Sequence, residues 1–365
     1  MGTQGKRKFF SRCACCESAG VAAGVSRRDF LASSVASLAL GASIAGVAAV
    51  PSTAIAAPAA GKRIDVHQHM APTFHRDTLG SRRGGSWPKW SPETSLEDMD
   101  RSGIALAFLS SVNPGAWTGN AEESRVLARK LNEFSATLVL NHPARFGHFA
   151  TISPPDVEGS LKEIEYGLGA LKADGIALMT SYAGKYLGDE SFAPVYEELN
   201  RRKALVYVHP VTPQCCAGLV PGIPPSSIEY ATDSTRTIAH LVFSGTAMKF
   251  PDIRWIFSHS GGTLPFLTGR FVRLAEERKP AHLPNGPLPE FRKFYYELAQ
   301  GNTPGQIAAL LKMVPLSQVL YGTDFPFRDG AEVNAGIAAY GFSPNEVRSI
   351  EREVAVKLIP RLKSV

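Results

Sequence analysis

The chain has few cysteines, and their positions argue against a fold held together by disulfides. Cys13, Cys15 and Cys16 lie close together near the N-terminus, whereas Cys215 and Cys216 are neighbours in the body of the chain. A disulfide between adjacent residues requires a strained bridge. We therefore expect no disulfide framework in the mature protein.

A strong excess of one charge is also missing from most of the chain. The formal net charge is +6 at pH 7, but the first 56 residues hold six basic side chains against two acidic ones. The remainder therefore carries only about +2. No run of basic residues with interleaved aromatic residues occurs there, so we expect no nucleic-acid partner.

Only one long uncharged stretch of weak apolarity occurs, at residues 31–50. It follows two adjacent arginines in SRRDFLA, Ser26–Ala32, and precedes Ala54-Ile55-Ala56, a small-x-small cleavage sequence. This pattern resembles a bacterial twin-arginine signal. We predict a signal peptide over residues 1–56, export to the periplasm, and a catalytic domain over 57–365 without stable membrane association. The alternative is an uncleaved anchor, because about 20 residues can span a bilayer.

Beyond residue 60, short apolar runs alternate with amphipathic stretches typical of helices, and no internal repeat is visible. Eight strands that alternate with helices over roughly 300 residues are what a (β/α)8 TIM barrel requires. We therefore predict a single α/β domain of this class. The eight predicted strands are Ile64–Val66, Ile104–Val112, Gly147–Ile152, Gly175–Thr180, Leu205–Val208, Ile253–Ser258, Phe294–Leu298 and Val319–Tyr321.

Four histidines and one aspartate follow the predicted strands. His67 and His69 come after strand 1, His209 after strand 5, His259 after strand 6 and Asp324 after strand 8. The C-terminal ends of the strands meet at one mouth of such a barrel, where catalysis takes place. Imidazole nitrogens and a carboxylate that converge there can hold a divalent metal with open positions. Taken singly, a residue of this kind at a strand end more often has a structural role than a metal-binding one.

Four motifs carry a resemblance to a known family. They are DVHQH near strand 1, VHP on strand 5, SHSGG on strand 6 and YGTDFPF on strand 8. In this order they resemble the amidohydrolase superfamily, and specifically its branch of metal-dependent decarboxylases related to aminocarboxymuconate-semialdehyde decarboxylase. The stretches WSPETSLEDMDRSGI and SGTAMKFPDIRWIFSHSGGTLPF are similar to 6-methylsalicylate decarboxylases.

The resemblance implies roles for individual residues. The metal ligands would be His67, His69, His209 and Asp324, and the catalytic acid/base residues would be His259 and Asp324. No lysine follows strand 4 at a position expected for a bridge between two metals, so the resemblance implies a single mononuclear metal site at the C-terminal mouth. Three imidazoles and a carboxylate favour zinc, with manganese as the alternative.

The same resemblance implies a substrate-binding arginine and a dimer. In the family, an arginine eleven positions after the strand-6 histidine binds a substrate carboxylate, often across a dimer interface, and Arg270 has this spacing. A homodimer is therefore expected. Arg82 or Arg83 is a candidate for a second such arginine. Asp65 faces inward with the two histidines that follow it, and is either an additional metal ligand or an acceptor that orients a ligand.

These residues predict a metal-dependent, non-oxidative decarboxylase whose partner is a small aromatic carboxylate of the 6-methylsalicylate type. The alternative enzyme is a hydrolase that uses metal-bound hydroxide on a lactone or an amide. A third reading is a periplasmic binding protein that keeps the barrel without turnover. Trp87, Trp90 and Trp117 are candidates for stacking on an aromatic substrate or for ordinary packing.

Overall fold

The structure is a computed structural model that describes residues 62–80 and 86–364 of the chain. The predicted signal peptide, the first three cysteines, Arg82 and Arg83 lie outside the described residues. Within the described ranges, no helix combines the length and the apolarity that crossing a bilayer requires. The two cysteines found there, Cys215 and Cys216, are free thiols.

Eight parallel strands form the central sheet and follow each other in chain order. They confirm the eight predicted strands and the TIM-barrel architecture. The strands are β1 Arg63–Met70, β2 Ile104–Ser111, β3 Phe146–Thr151, β4 Gly175–Met179, β5 Leu205–His209, β6 Arg254–Phe257, β7 Tyr295–Glu297 and β8 Val319–Leu320. A short antiparallel hairpin, Ser181–Tyr182 with Lys185–Tyr186, follows β4.

Helices connect the strands and surround the sheet. Several begin at side chains that cap the first free backbone N–H groups, as Ser91, Asn120, Asp156, Asp329 and Ser343 do. The helices are α1 Thr73–Leu79, α2 Pro92–Ser102, α3 Ala121–Asn141, α4 Val157–Glu165, α5 Ala193–Arg201, α6 Glu229–Phe243, α7 Thr246–Lys249, α8 Leu264–Arg278, α9 Leu288–Phe291, α10 Pro304–Met313, α11 Gly330–Tyr340, α12 Pro344–Arg348 and α13 Val354–Leu358.

The segment after β8 closes the barrel against β1. The backbone N–H of Val66 donates to the Tyr321 carbonyl at 3.1 Å, and that of His69 donates to the Phe325 carbonyl at 2.8 Å. In the other direction, the Asp324 N–H donates to the His67 carbonyl at 2.8 Å. The residues predicted as ligands at the two ends of the sequence are therefore joined directly through their backbones.

Aromatic side chains fill the barrel beneath these ligands. Phe108 stacks on Phe149 at 5.3 Å between ring centroids, and Phe149 stacks on Tyr207 at 5.5 Å. The Tyr207 ring lies 5.2 Å from the His67 ring. Because side chains alternate along a strand, Tyr207 and His209 point to the same interior, one above the other. The ligands thus lie directly above a packed layer of aromatic side chains.

The structure corrects one boundary of the prediction. Strand β1 continues to Met70, so His67 and His69 lie within a strand and not after it. Both histidines are fully buried, as is Gln68 between them. This extension is possible because β2 pairs with one side of β1 up to Met70, and the segment after β8 pairs with the other side up to His69.

Candidate metal centre

Four side chains from two strands and one loop converge at the C-terminal end of the barrel. His67 and His69 come from β1, His209 ends β5, and Asp324 follows β8. One nitrogen or oxygen of each residue lies within 4.8 Å of the corresponding atoms of the others, and all four residues are buried. The structure therefore brings together the four predicted ligands.

The hydrogen bonds of the three imidazoles decide which nitrogen is available. Nδ1 of His67 lies 2.9 Å from Glu297 Oε1, and Nδ1 of His209 lies 2.8 Å from the Pro210 carbonyl oxygen. Nδ1 of His69 lies 3.2 Å from the Ser110 hydroxyl. A carboxylate and a carbonyl can only accept, so each fixes the proton on Nδ1 and leaves Nε2 with a lone pair.

The Nε2 atoms of His67 and His69 face each other beside the Asp324 carboxylate. Nε2 of His67 and Nε2 of His69 are 3.0 Å apart, and Asp324 Oδ1 lies 3.2 Å and 3.1 Å from them. The buried His209 Nε2 and Asp324 Oδ1 have no hydrogen-bond partner among the described residues. Buried lone pairs that converge without donors are costly unless a cation satisfies them. The residues fit a divalent metal ion.

Glu297, at the end of β7, was not identified from the sequence. It is fully buried, and its Oε1 accepts from the His259 backbone N–H at 2.7 Å in addition to contacting His67. Its Oε2 accepts from the Ala299 N–H at 2.6 Å. A carboxylate that holds the distal nitrogen of a ligand histidine orients the ring and raises its basicity. The signal was present in FYYEL, where a charged residue occupies an inward position of an apolar strand.

Burial and neighbouring charges together shape the electrostatics of the centre. Burial opposes a charge on His67, yet the carboxylates of Glu297 and Asp324 raise its pKa to about 10. Burial lowers the pKa of His69 to about 4 and that of His209 well below its usual value. Burial also opposes ionisation of Asp324, but His67 holds its pKa well below the usual range. The two carboxylates thus favour a positive charge at His67, which a divalent cation also supplies.

Asp65 acts as an acceptor and is not part of the ligand cluster. Its Oδ1 accepts from the His67 N–H at 2.9 Å and from the Thr323 N–H at 3.1 Å, and its Oδ2 accepts from the Thr323 hydroxyl at 2.7 Å. These contacts join β1 to the loop that carries Asp324. Of the two roles left open by the sequence, the structure supports the orienting one.

His259 lies beside the four ligands. Its ring centroid is 5.2 Å from that of His67 and 5.4 Å from that of His209. Its Nδ1 lies 2.9 Å from the Ala299 carbonyl oxygen, and its buried Nε2 has no hydrogen-bond partner among the described residues. The Nε2 atom therefore lies next to the centre without a protein partner, which is a suitable position for proton transfer.

A cavity of about 480 Å³ opens above the centre. His209 and Asp324 line it together with the loop before α6, Asn113, Phe327 and Arg328. A cavity of this size accommodates a small organic molecule. The ring of Phe327 lies 5.8 Å from that of His69, so an aromatic side chain that the sequence did not single out borders the centre.

Arg270 is exposed on α8 and lies in a separate depression with Phe271, Arg273, Leu274 and Glu277. It does not line the cavity of its own chain, so its predicted role would require a second chain. The three tryptophans considered for stacking on a substrate do not line the cavity and contact other parts of the protein. The Trp87 ring lies 5.1 Å from that of His75, Trp90 Nε1 donates to Ser95 at 2.9 Å, and Trp117 packs against the core.

Comparisons with known proteins agree with this architecture. Decarboxylase yanB of Aspergillus niger is 37% identical over 324 residues, which cover 82% of this chain and 88% of the relative. A 6-methylsalicylic acid decarboxylase of Penicillium expansum is 31% identical over 317 residues, 83% of this chain and 98% of the relative.

Solved structures share the fold at lower identity. A 5-carboxyvanillate decarboxylase from Novosphingobium aromaticivorans, complexed with manganese, superposes with a TM-score of 0.73 at 22% identity and covers 82% of this chain and 96% of its own. The family model described as Amidohydrolase matches residues 64–361, which include all four converging ligands. The chain belongs to the amidohydrolase family.

Proposed function

We propose that the protein is a metal-dependent, non-oxidative decarboxylase of hydroxybenzoate-like aromatic carboxylates, of which 6-methylsalicylate is the type. The observation that carries this proposal is the set of four metal-binding atoms at the floor of a cavity large enough for one substituted ring. The names of the two relatives at 37% and 31% identity support the reaction class.

The difficulty of this reaction is to break the bond to CO₂ without forming a free aryl anion. Protonation of the carboxyl-bearing ring carbon before the bond breaks avoids that anion, because the electrons of the C–C bond then restore the aromatic ring as CO₂ leaves. A divalent cation at the centre would supply the positive charge that holds the carboxylate and the neighbouring phenolic oxygen of the substrate.

Asp324 is the proposed proton donor to the ring carbon. Because His67 lowers the pKa of Asp324, this carboxylate begins deprotonated and must first take a proton. In the proposed mechanism, the phenolic hydroxyl of the substrate supplies it. The side-chain amide of Gln300 donates to Asp324 Oδ2 and limits its rotation. Transfer of that proton to the ring carbon and loss of CO₂ leave a phenolate in the cavity.

His259 is the proposed acid/base partner. Its Nδ1–H is held by the Ala299 carbonyl, so Nε2 can accept a proton from solvent and deliver it to the phenolate oxygen. The overall reaction then consumes one proton for each CO₂ released, as its stoichiometry demands.

The test is release of CO₂ from 6-methylsalicylate and other hydroxybenzoates by purified, metal-loaded protein. Turnover of at least one of these acids supports the proposal, and absence of turnover with the metal content intact contradicts the substrate class. Cleavage of lactone or amide substrates by the same preparation would instead support the hydrolase alternative.

For the metal we propose zinc, because three neutral imidazoles and one carboxylate suit its preferences, with manganese as the competitor. Manganese is the metal in the complex of the 5-carboxyvanillate decarboxylase that shares the fold. Elemental analysis of the purified protein, followed by reconstitution of the metal-free form with each ion, distinguishes the two.

We also propose a homodimer in which Arg270 of one chain reaches the substrate in the cavity of the other. Its exposure, and that of Phe266 one turn earlier on α8, is compatible with a covered surface in an assembly. Light scattering of the mature protein tests the dimer, and an Arg270→Gln variant tests the contact with substrate.

Finally, we propose export by the twin-arginine route. Replacement of Arg27 and Arg28 by lysine is expected to retain the protein in the cytoplasm with its signal uncleaved, since this route depends on the arginine pair. Mass spectrometry of the periplasmic protein should find an N-terminus near Ala57. A full-length chain in the membrane fraction would instead support the uncleaved anchor.

A further inference from the structure

The turn after β8 carries three side chains of the cavity at increasing distance from its floor. Asp324 provides a ligand atom, Phe327 borders the wall, and Arg328 lies at the exposed rim. The Asp324 carbonyl accepts from the backbone N–H groups of Phe327 at 2.9 Å and of Arg328 at 3.3 Å. The position of the arginine is therefore tied through one turn of backbone to the metal centre.

The Arg328 guanidinium is only loosely engaged by the protein. Its side chain is 51% exposed, and its ion pair joins Nε to Glu332 Oε2 at 3.8 Å, beyond hydrogen-bond distance. Arg125 shows the opposite situation, because Asp156 holds its guanidinium through two hydrogen bonds of 2.5 Å and 2.7 Å. Arg328 thus retains donors that an incoming anion can use at small cost.

Among the described residues that line the cavity, Arg328 is the only one with a permanent positive charge. Arg270 lies in a separate depression of the same chain. The other cavity residues are neutral or, like Asp324, contribute to the centre itself. Within one chain, the fixed positive charge that an anion meets on entering the cavity therefore belongs to this rim residue, in addition to any metal held at the centre.

We propose that Arg328 is a specificity-determining residue that binds the carboxylate of an aromatic acid on entry and discriminates it from the uncharged product. This inference rests on the proposed decarboxylation. The reaction converts an anion into a neutral phenol and neutral CO₂, so the attraction to Arg328 disappears on turnover. The substrate is then drawn in by a contact that does not retain the product.

The test compares Arg328→Gln with Arg328→Lys and with Arg348→Gln. Arg348 is the matched control, because its side chain is 61% exposed, its ion pair with Glu353 is 3.9 Å long, and it does not line the cavity. With 6-methylsalicylate, we expect Arg328→Gln to raise KM by about three- to tenfold, as for a partly exposed charge pair, and to change kcat by less than about twofold. Arg328→Lys should recover most of the affinity because it keeps the charge.

A charged and an uncharged inhibitor of similar shape show whether Arg328 recognises the negative charge of the ligand or its shape. The inhibition constant of a non-reactive benzoate should rise by the same factor as KM in Arg328→Gln, whereas that of the corresponding phenol should stay unchanged. Equal changes for both inhibitors, an unchanged KM in Arg328→Gln, or an equal rise of KM in Arg348→Gln would each overturn the proposal.

Failure of the proposed function itself gives a different result. Wild-type protein would then release no CO₂ from any hydroxybenzoate. Calorimetric titration of metal-loaded wild type and Arg328→Gln with the same benzoate and phenol still measures the preference for the anion. Weaker binding of benzoate alone supports the role of Arg328, and identical binding by the two proteins refutes it.

Discussion

The floor and the rim of the cavity differ in how their side chains are held. At the floor, the four ligands are at most 3% exposed, and Nδ1 of each imidazole contacts a neighbouring oxygen. At the rim, the loop before α6 exposes Leu219 by 62%, and Arg328 has only a distant ion-pair partner. Contacts within the protein fix the side chains at the floor, whereas the side chains at the rim can still form contacts with a ligand.

This difference separates two parts of the chemistry. Metal binding requires atoms that converge before the ion arrives, because reorganisation of buried groups would cost affinity. Choice of substrate requires groups that can still form new contacts, and these lie on loops around the rigid barrel. We therefore expect substitutions at the floor to change metal content and substitutions at the rim to change substrate affinity.

The largest effect should follow from removing a ligand. His67→Ala and His209→Ala are expected to abolish stable metal binding and to lower the rate of CO₂ release by on the order of 10³-fold or more. Elemental analysis and the rate assay check both effects. His282→Ala is the control, because His282 is exposed and lies far along the sequence from the ligands. Unchanged metal content in the two ligand variants would refute the assignment of the centre.

A smaller effect should follow from weakening the support of a ligand. Glu297→Gln keeps the size of the side chain but replaces the carboxylate that holds His67 Nδ1. We expect metal affinity to fall by about 10- to 100-fold. Competition with a chelator measures this change, and excess metal should restore activity. Loss of activity at unchanged metal affinity would show that Glu297 acts in another way.

Substitution of Gly322, in the YGTD motif, tests the role of Glu297 by steric displacement of its carboxylate. A Cβ at Gly322 would lie 2.2 Å from Glu297 Oε2, so Gly322→Ala must displace the carboxylate. We expect destabilisation by about 1–3 kcal/mol, as for overpacking of a core, together with weaker metal binding. Urea unfolding measures the stability. Gly269→Ala on α8 is the matched control, because a Cβ there meets nothing within 4 Å. Equal stability of the two variants would contradict the steric argument.

The smallest effect is expected at the two thiols of the loop before α6. Cys215 and Cys216 are not among the converging ligands, and their sulfur atoms contact each other at 2.7 Å. Cys215→Ser should therefore leave metal content unchanged and CO₂ release within about twofold of wild type. A loss of metal in this variant would contradict the conclusion that only the buried ligands determine metal binding. Thiol titration of the denatured protein should find two cysteines if the signal is removed and five if it is retained.

Much of the fold could be predicted from the sequence because its signals are local. Each barrel strand is a short apolar run between helical stretches, and all eight were found within a few residues of their observed bounds. The end of β1 was missed for a non-local reason. Whether a chain remains extended through His69 depends on neighbours that supply its hydrogen bonds, and these come from the Phe325 segment, more than 250 residues away.

The residues of the candidate site also fall into two groups, those predictable from local motifs and those that depend on contacts remote in sequence. The ligand types and their order along the chain were readable from the motifs, and the structure brings His67, His69, His209 and Asp324 together. Glu297 was not readable, because an isolated glutamate on a strand shows its importance only when its partner is known. The placement of Arg270 relative to the cavity also depends on how α8 packs, which spacing along the chain does not specify.

The sequence by itself determined the class of fold and the set of metal-binding residues, since strand periodicity and residue chemistry are properties of short segments. Only the tertiary structure decided which nitrogen of His67 and of His209 is free, that Asp65 supports the loop after β8, and that Arg328 lines the cavity. These facts depend on distances between residues remote in sequence. Such distances are set when the barrel closes and the buried groups must all find partners.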